Sequence, residues 1–303
     1  MGLPQAKVGT VTKTKSGEAQ AIHVTCFGMS DRGQVRKNNE DNFVVGNLTT
    51  GEWGSSPVRR EQEVGRLGLL FLVADGMGGE ASGEVASQLA ATTIPRRLYD
   101  NLKSRESVSD ATVAALLREA IEQANRVIIQ MGTSNAACRG MGTTVTAAVL
   151  LRQSLIIGQV GDSRCYLLRS GQISQLTRDQ TLLNFLRDIG ADLPADSGRD
   201  SRRSILTQAV GSSESLDVKL TCARVMRGDR MLLCSDGLYN MLAEAELVDK
   251  AQAGDDVSQS CQSLVEQANL HGGLDNITVV LAEFSGQGLP PAGVAVECRE
   301  LTD

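Results

Sequence analysis

Two very short connections constrain this chain more than any other feature. Arg152-Gln153 turns the chain between one apolar run and the next, and Arg169-Ser170-Gly171 turns it again after a third. Connections this tight close antiparallel hairpins and leave no room for the crossover that a parallel pair needs. Short apolar runs read as buried strands at Ile22 to Met29, Asn42 to Val45, Leu67 to Ala74, Thr143 to Leu151, Leu155 to Val160, Cys165 to Leu168, Asp217 to Val225, Arg230 to Cys234 and Asn276 to Phe284. Helical spacing is clearest where Val113, Leu116, Leu117, Ala120, Ile121, Ala124, Val127, Ile128 and Met131 share a face. Ala86, Ala90, Ile94 and Leu98 mark a second helix, which Pro95 should kink or end. Val257, Cys261, Leu264, Val265 and Ala268 mark a third. Hairpin-joined strands with helices grouped in pairs predict an α+β layering of antiparallel sheets, not a doubly wound parallel sheet.

The chain of 303 residues is long enough to bury a large core. No linker divides it, so one domain is expected over residues 21–285. Residues 1–20 and 286–303, polar or rich in Gly and Pro, read as loose tails. Residues 47–66 read as a surface excursion. Residues 187–204, dense in Asp, Arg and Ser, form a candidate flap. Lys and Arg total 30 against 36 Asp and Glu, a net charge of -6, which weighs against a dedicated nucleic-acid binder. His23 and His271 are the only histidines, so a histidine-rich zinc or copper centre cannot be assembled. Seven dispersed cysteines without a CxxC pair fit reduced thiols. No apolar run approaches a membrane span, and the N-terminus lacks a signal-peptide apolar region. A cytoplasmic protein without membrane contact is the expectation, and nothing demands more than a monomer.

The acids carry the chemistry. Asp75 follows the run LGLLFLVA, Asp236 follows MLLCS, and Asp162 follows LIIGQVG. Asp275 precedes NITVVLAEF, and Glu40 and Asp41 precede NFVVG. Asp-Gly is a common turn dipeptide. Here, however, Asp75-Gly76 and Asp236-Gly237 each lead toward a helix rather than a second strand. A carboxylate at the end of a buried strand loses hydration, which hydrogen bonds or a cation must offset. Several at one sheet edge repel each other unless a metal lies between them, and oxygen ligands without histidine select Mg²⁺ or Mn²⁺. In DGMGG, Gly76 would let its carbonyl approach an ion, with Gly78 and Gly79 leaving room for substrate. Arg36, a few residues before Glu40, could clamp phosphate oxygens. No P-loop pattern occurs.

These residues resemble the metal-dependent serine/threonine protein phosphatases of the 2C type in their bacterial form. The resemblance spans roughly residues 24–284. It rests on SDRGQVRKNNED, VADGMGGEASGEVAS, GMGTTVTAAVL, GQVGDSRCYLLRSGQISQLTRDQT, LTQAVG, DRMLLCSDGLYNML and DNITVV, in family order. It implies a four-layer αββα sandwich, two central antiparallel sheets between helix pairs, with two Mn²⁺ or Mg²⁺ ions at one end. It further implies hydrolysis of phosphoserine and phosphothreonine in proteins, the substrates of a Ser/Thr kinase, by a hydroxide bridging the metals and without a covalent intermediate. By resemblance, Asp75 bridges both metals, Gly76 offers its carbonyl, and Asp236 and Asp275 bind the second metal. Glu40 and Asp41 hold metal-bound waters or complete the shell, Arg36 clamps phosphate, and Asp162 matches a ligand of a weaker third ion.

Three positions depart from the family. Asn240 stands where an Asp usually helps hold the third ion, Met77 replaces the histidine of eukaryotic members, and Gln180 departs from the usual TxDHS string. Two other readings compete. Cys26 and Arg32 have the C-x5-R spacing of cysteine-dependent phosphatases, although Cys26 falls within a strand. A catalytically silent phosphoprotein-binding scaffold of the same fold is the other, against which the retention of Asp75, Asp236 and Asp275 argues. Arg199, Arg202 and Arg203 read as a solvated mixed-charge loop before a steering patch.

Overall fold

The computed structural model describes residues 21–78, 82–191, 202, 204–254, 256–293 and 295–301. Strands β1 (His23–Asp31), β2 (Asn42–Asn47), β3 (Glu52–Gly54), β4 (Arg60–Glu63), β5 (Leu69–Ala74) and β6 (Gly76–Met77) lead into helices α1 (Ser82–Leu102) and α2 (Asp110–Ser134). Then follow β7 (Gly142–Thr143), β8 (Val145–Leu151), β9 (Ser154–Val160), β10 (Arg164–Arg169), β11 (Gln172–Gln175), α3 (Leu182–Asp188), β12 (Lys219–Arg224) and β13 (Arg230–Cys234). The chain closes with α4 (Asp236–Tyr239), α5 (Glu244–Gln252), α6 (Val257–Leu270), β14 (Ile277–Ser285) and β15 (Cys298–Glu300).

The strands build a six-stranded sheet, β11-β10-β13-β14-β1-β4, and a seven-stranded sheet, β15-β12-β9-β8-β5-β2-β3. Every pairing in both is antiparallel. Continuous apolar runs arise because each central strand is covered on both faces. In β5, Leu69, Phe71 and Val73 point between the sheets, and Leu70, Leu72 and Ala74 point at α1 and α2. In β14, Val280, Ala282 and Phe284 face the other sheet, whereas Ile277, Val279 and Leu281 face α5 and α6. The result is helices, sheet, sheet, helices: the four-layer sandwich that the family resemblance implies.

The two expected hairpins form, Leu151 pairing with Ser154 and Arg169 with Gln172. Arg152 at φ 53° and Ser170 at φ 51° adopt the left-handed backbone that such turns need. Three expectations need correction. Helix α1 does not end at Pro95, because the buried stripe Ala86, Ala90, Ile94, Leu98 and Leu102 continues beyond it. That burial outweighs one lost backbone hydrogen bond. The helical reading after Asp236 breaks between Tyr239 and Glu244 into α4 and α5. The segment after 285 is no loose tail: Leu289 is buried, and Cys298–Glu300 extends the second sheet by pairing with β12.

A buried ion pair fastens that segment. Arg169 donates to both carboxylate oxygens of Asp229 at 2.9 and 2.7 Å, to the Arg224 carbonyl at 2.8 Å, and to the Ala295 carbonyl. The excursion at 47–66 supplies β3 and β4, one on each sheet. Residues 1–20 and most of the candidate flap, Arg199 and Arg203 included, lie outside the described residues, as does Gly79.

Candidate metal centre

Strand register brings the acids to one end of both sheets. In the second sheet Asn42 faces Ala74, so Asp41 and Asp75 stand together one residue beyond the paired ends. In the first, Cys234 faces Val279, which sets Asp236 beside the residues that enter β14, starting from Asp275. The two edges meet. Asp75 and Asp236 carboxyls are within hydrogen-bonding reach, and Asp75 feels the charges of Asp41, Asp162 and Asp275.

Two glycines make that approach possible. A Cβ on Gly237 would lie 2.0 Å from the Asn276 carbonyl oxygen, so only glycine lets the residue after Asp236 pack on the residue after Asp275. A Cβ on Gly76 would lie 2.5 Å from the Glu40 carbonyl oxygen and 2.3 Å from that of Gly83. Asp75, Glu40 and the start of α1 are thereby drawn together.

Polar side chains that the sequence reading passed over hold the acids in place. Thr144 Oγ1 accepts from the Asp75 amide at 3.0 Å, and Thr143 Oγ1 donates to the Asp75 carbonyl at 2.9 Å. Ser235 Oγ donates to Asp41 Oδ2 at 2.7 Å and accepts from the Thr278 amide at 3.0 Å. Asn276 takes the Glu40 amide on Oδ1 at 2.8 Å, and its Nδ2 donates to the carbonyls of Arg32 and Asn38, each at 2.9 Å. Arg36 Nη2 donates to Asp275 Oδ2 at 2.6 Å, which places the cation beside the acids.

The departures from the family acquire local roles. Asn240 Nδ2 donates to Asp236 Oδ2 at 3.1 Å. Gln180 Oε1 accepts from the Gly161 amide at 2.7 Å, and its Nε2 donates to the Asp217 carbonyl at 2.8 Å, which ties down the turn that carries Asp162. Tyr239 reaches the same turn from α4, its hydroxyl donating to the Asp162 carbonyl at 3.1 Å. Met77 is exposed.

Burial and mutual repulsion push these carboxyls far from their ordinary range. Burial, resisted by hydrogen bonds from Thr278 and Ser235, raises Asp41 to about 7, with the charges of Asp236 and Asp275 adding to it. Burial and Asp236 raise Asp162 to about 7. Burial and Asp275 raise Asp236 to about 6. Asp75 stands well above the carboxylate range for the same reasons, and Glu40 is raised mainly by burial. Arg36 is held charged by its bond to Asp275.

A site that gathers anions at this expense fits a divalent cation. Its side-chain ligand atoms are all oxygen, and among the described residues buried Asp41 Oδ1 has no hydrogen-bond partner. Among the described residues no three His, Cys, Asp or Glu side chains close on one point by themselves. Ser235, Asn240 and Arg36 each donate to one carboxylate oxygen, of Asp41, Asp236 and Asp275 in turn. The cysteine alternative fails: Cys26 is fully buried in β1, and burial lifts its thiol to about 11, so it is a core side chain and no thiolate nucleophile.

Comparison with known proteins bears on the same region. A family model described as protein phosphatase 2C matches residues 62–275. The serine/threonine phosphatase stp of Listeria welshimeri is 34% identical over 255 residues, 84% of this chain and 93% of that protein. The serine/threonine protein phosphatase PstP of Mycobacterium tuberculosis is 35% identical over 254 residues, 84% of this chain and 44% of that longer protein. The crystal structure of PstP/Ppp superposes with a TM-score of 0.71 at 34% identity, covering 86% of this chain and 98% of that one. A structure of the PstP catalytic domain in complex with two manganese ions gives a TM-score of 0.68 at 32% identity, over 87% and 99%.

Proposed function

The chain belongs to the protein phosphatase 2C family, and from that premise we infer that it is a metal-dependent phosphatase hydrolysing phosphoserine and phosphothreonine in proteins. One observation carries the reading to this chain's own residues: acids from both sheets meet at a single edge beside an arginine. We assign Asp75, the Gly76 carbonyl, Asp236 and Asp275 as the groups that would hold two Mn²⁺ or Mg²⁺ ions. Asp162 is the candidate for a third ion. When bound, the ions supply Lewis acidity, which acidifies coordinated water and neutralises charge on the phosphoryl oxygens.

The remaining work falls to the chain. Arg36 spends one donor on Asp275 and leaves the rest of its half-exposed guanidinium to grip phosphate. Held beside the acids by that bond, it is oriented before substrate arrives. Glu40 and Asp41 would position water, Asp41 through its unpartnered Oδ1. His271 is committed elsewhere, its ring nitrogens bonded to the Met241 carbonyl and the Gln267 amide. Water would therefore protonate the leaving alkoxide.

A silent scaffold would not need three intact acids at this edge. Among the described residues no helix is long and apolar enough to cross a membrane. We propose a monomer acting in cytoplasmic signalling, opposite a Ser/Thr kinase. Phosphate release from a phosphothreonine peptide tests the reading. Wild-type protein with Mn²⁺ should turn over and Asp236→Ala should not; equal rates would overturn the assignment.

A further inference from the structure

The loop that carries Arg36 bears two more cations that the chemistry above leaves unused. Arg32, Arg36 and Lys37 are all exposed. Arg36 is committed to Asp275, whereas among the described residues neither Arg32 nor Lys37 has a side-chain partner. One amide brings the two together. Because Asn276 Nδ2 lies 2.9 Å from the carbonyls of both Arg32 and Asn38, those oxygens are no further apart than twice that distance. Arg32 thus stands at one gripped carbonyl and Lys37 precedes the other. Between them the Gln34 amide donates to the Gly273 carbonyl at 2.8 Å, which fixes the crown of the loop to the segment leading to Asp275.

Nearby acids are already engaged. Asp31 accepts from the Gly33 amide at 2.8 Å and from Asn269 at 3.0 Å, and Asp275 accepts from Arg36 and the Asn276 amide. Across the site the sign reverses: Glu84, in the first turn of α1, lies close enough to Glu40 to repel its carboxylate. A protein of net charge -6 repels acidic peptides in general, so this loop is a local exception on one rim.

We propose that Arg32 and Lys37 form a docking edge for acidic side chains flanking the phosphorylated residue. The substrates are then phosphoproteins whose phosphosite stands beside Asp or Glu, a conclusion that rests on the phosphatase reading above. Charge complementarity of this kind selects partners and speeds encounter more than it tightens binding.

The test uses two phosphothreonine peptides of equal length, one with Glu at the flanking positions and one with Gln. Their kcat/KM values are compared for the wild type and for the double variant Arg32→Gln, Lys37→Gln. For two exposed ion pairs the wild type should favour the Glu peptide by about two- to tenfold at low salt. The preference should shrink at about 250 mM salt, and it should fall toward one in the double variant. The ratio is taken within each protein, so a general loss of activity does not mimic the result. Equal turnover of both peptides by the wild type, or a preference that survives the double substitution, removes the docking edge alone. Turnover of neither peptide would overturn the phosphatase reading and the docking edge with it.

Discussion

Gly237→Ala pits two physical effects of opposite sign against each other. Gly237 lies within α4, where alanine is the better helix former by up to about 1 kcal/mol, so propensity alone predicts a more stable protein. Packing predicts the reverse. The new Cβ would lie 2.0 Å from the Asn276 carbonyl oxygen, and real Cβ contacts stay beyond 3.0 Å. The neighbour is backbone at the start of β14, between Asp275 and the strand, and it cannot swing away as a flexible side chain could. A shift of about 1 Å between α4 and β14 is therefore forced, at about 1–3 kcal/mol of overpacking strain. That shift acts directly on the separation of Asp236 and Asp275. Misplacement of reacting groups by about 1 Å costs on the order of 100-fold in rate. Phosphate release at saturating Mn²⁺, measured beside urea denaturation, should show kcat/KM down about 100-fold with stability modestly lowered. Activity within twofold of wild type, together with raised stability, would refute the claim that the close approach of α4 to Asn276 builds the centre.

Ser235→Ala removes the donor to buried Asp41 and the acceptor for the Thr278 amide. It should cost about 2–3 kcal/mol in chemical denaturation, because two buried groups each lose a hydrogen bond. An unchanged denaturation midpoint would show that water replaces the hydroxyl. For the metal-free protein, the folded-state carboxyls of Asp41, Asp162 and Asp236 lie above their unfolded value of 3.8. Their protonated forms favour folding, so stability is fully present below that value and is lost as pH rises through about 6 and about 7. A carboxyl moved from 3.8 to about 7 contributes on the order of 4 kcal/mol as an upper bound. Depressed Asp100 and Asp256 act with the opposite sign, but both are solvent-screened surface groups and contribute little. Thermal melting in chelator should show a lower Tm at pH 8 than at pH 5, with Mn²⁺ restoring it at pH 8; a higher metal-free Tm at pH 8 would contradict the burial argument.

The central strands were legible because burial on both faces leaves an unmistakable trace: in LGLLFLVA every residue but the second is apolar, and alternate ones feed different cores. The hairpins were legible because only two residues separate the paired ends. The edge strands were not. Arg60–Glu63 reads as four polar residues, and Cys298–Glu300 is held by β12 and by the Arg169 anchor, more than a hundred residues away in sequence. Pro95 does not end its helix because a buried stripe runs on either side of it.

Within the site, acids at strand ends were visible, since a charge at the end of an apolar run has few explanations. Their supports were not. Ser235 and Asp41 are 194 positions apart, and Asn276 grips Glu40 across 236. A serine or asparagine beside an aspartate carries no local mark of such a bond. Nor was the packing role of two glycines visible: Gly76 and Gly237 admit neighbouring backbone, which draws the acids together.

The central claim is that Asp75, Asp236 and Asp275, distant along the chain, form one centre for divalent ions that drive phosphoester hydrolysis. Phosphate release from a phosphothreonine peptide by chelator-stripped protein, followed as Mn²⁺ is returned, tests it most directly. No release without metal, activity rising and saturating with Mn²⁺, and loss on renewed chelation is the predicted result. Undiminished hydrolysis by the stripped protein in excess chelator would contradict it.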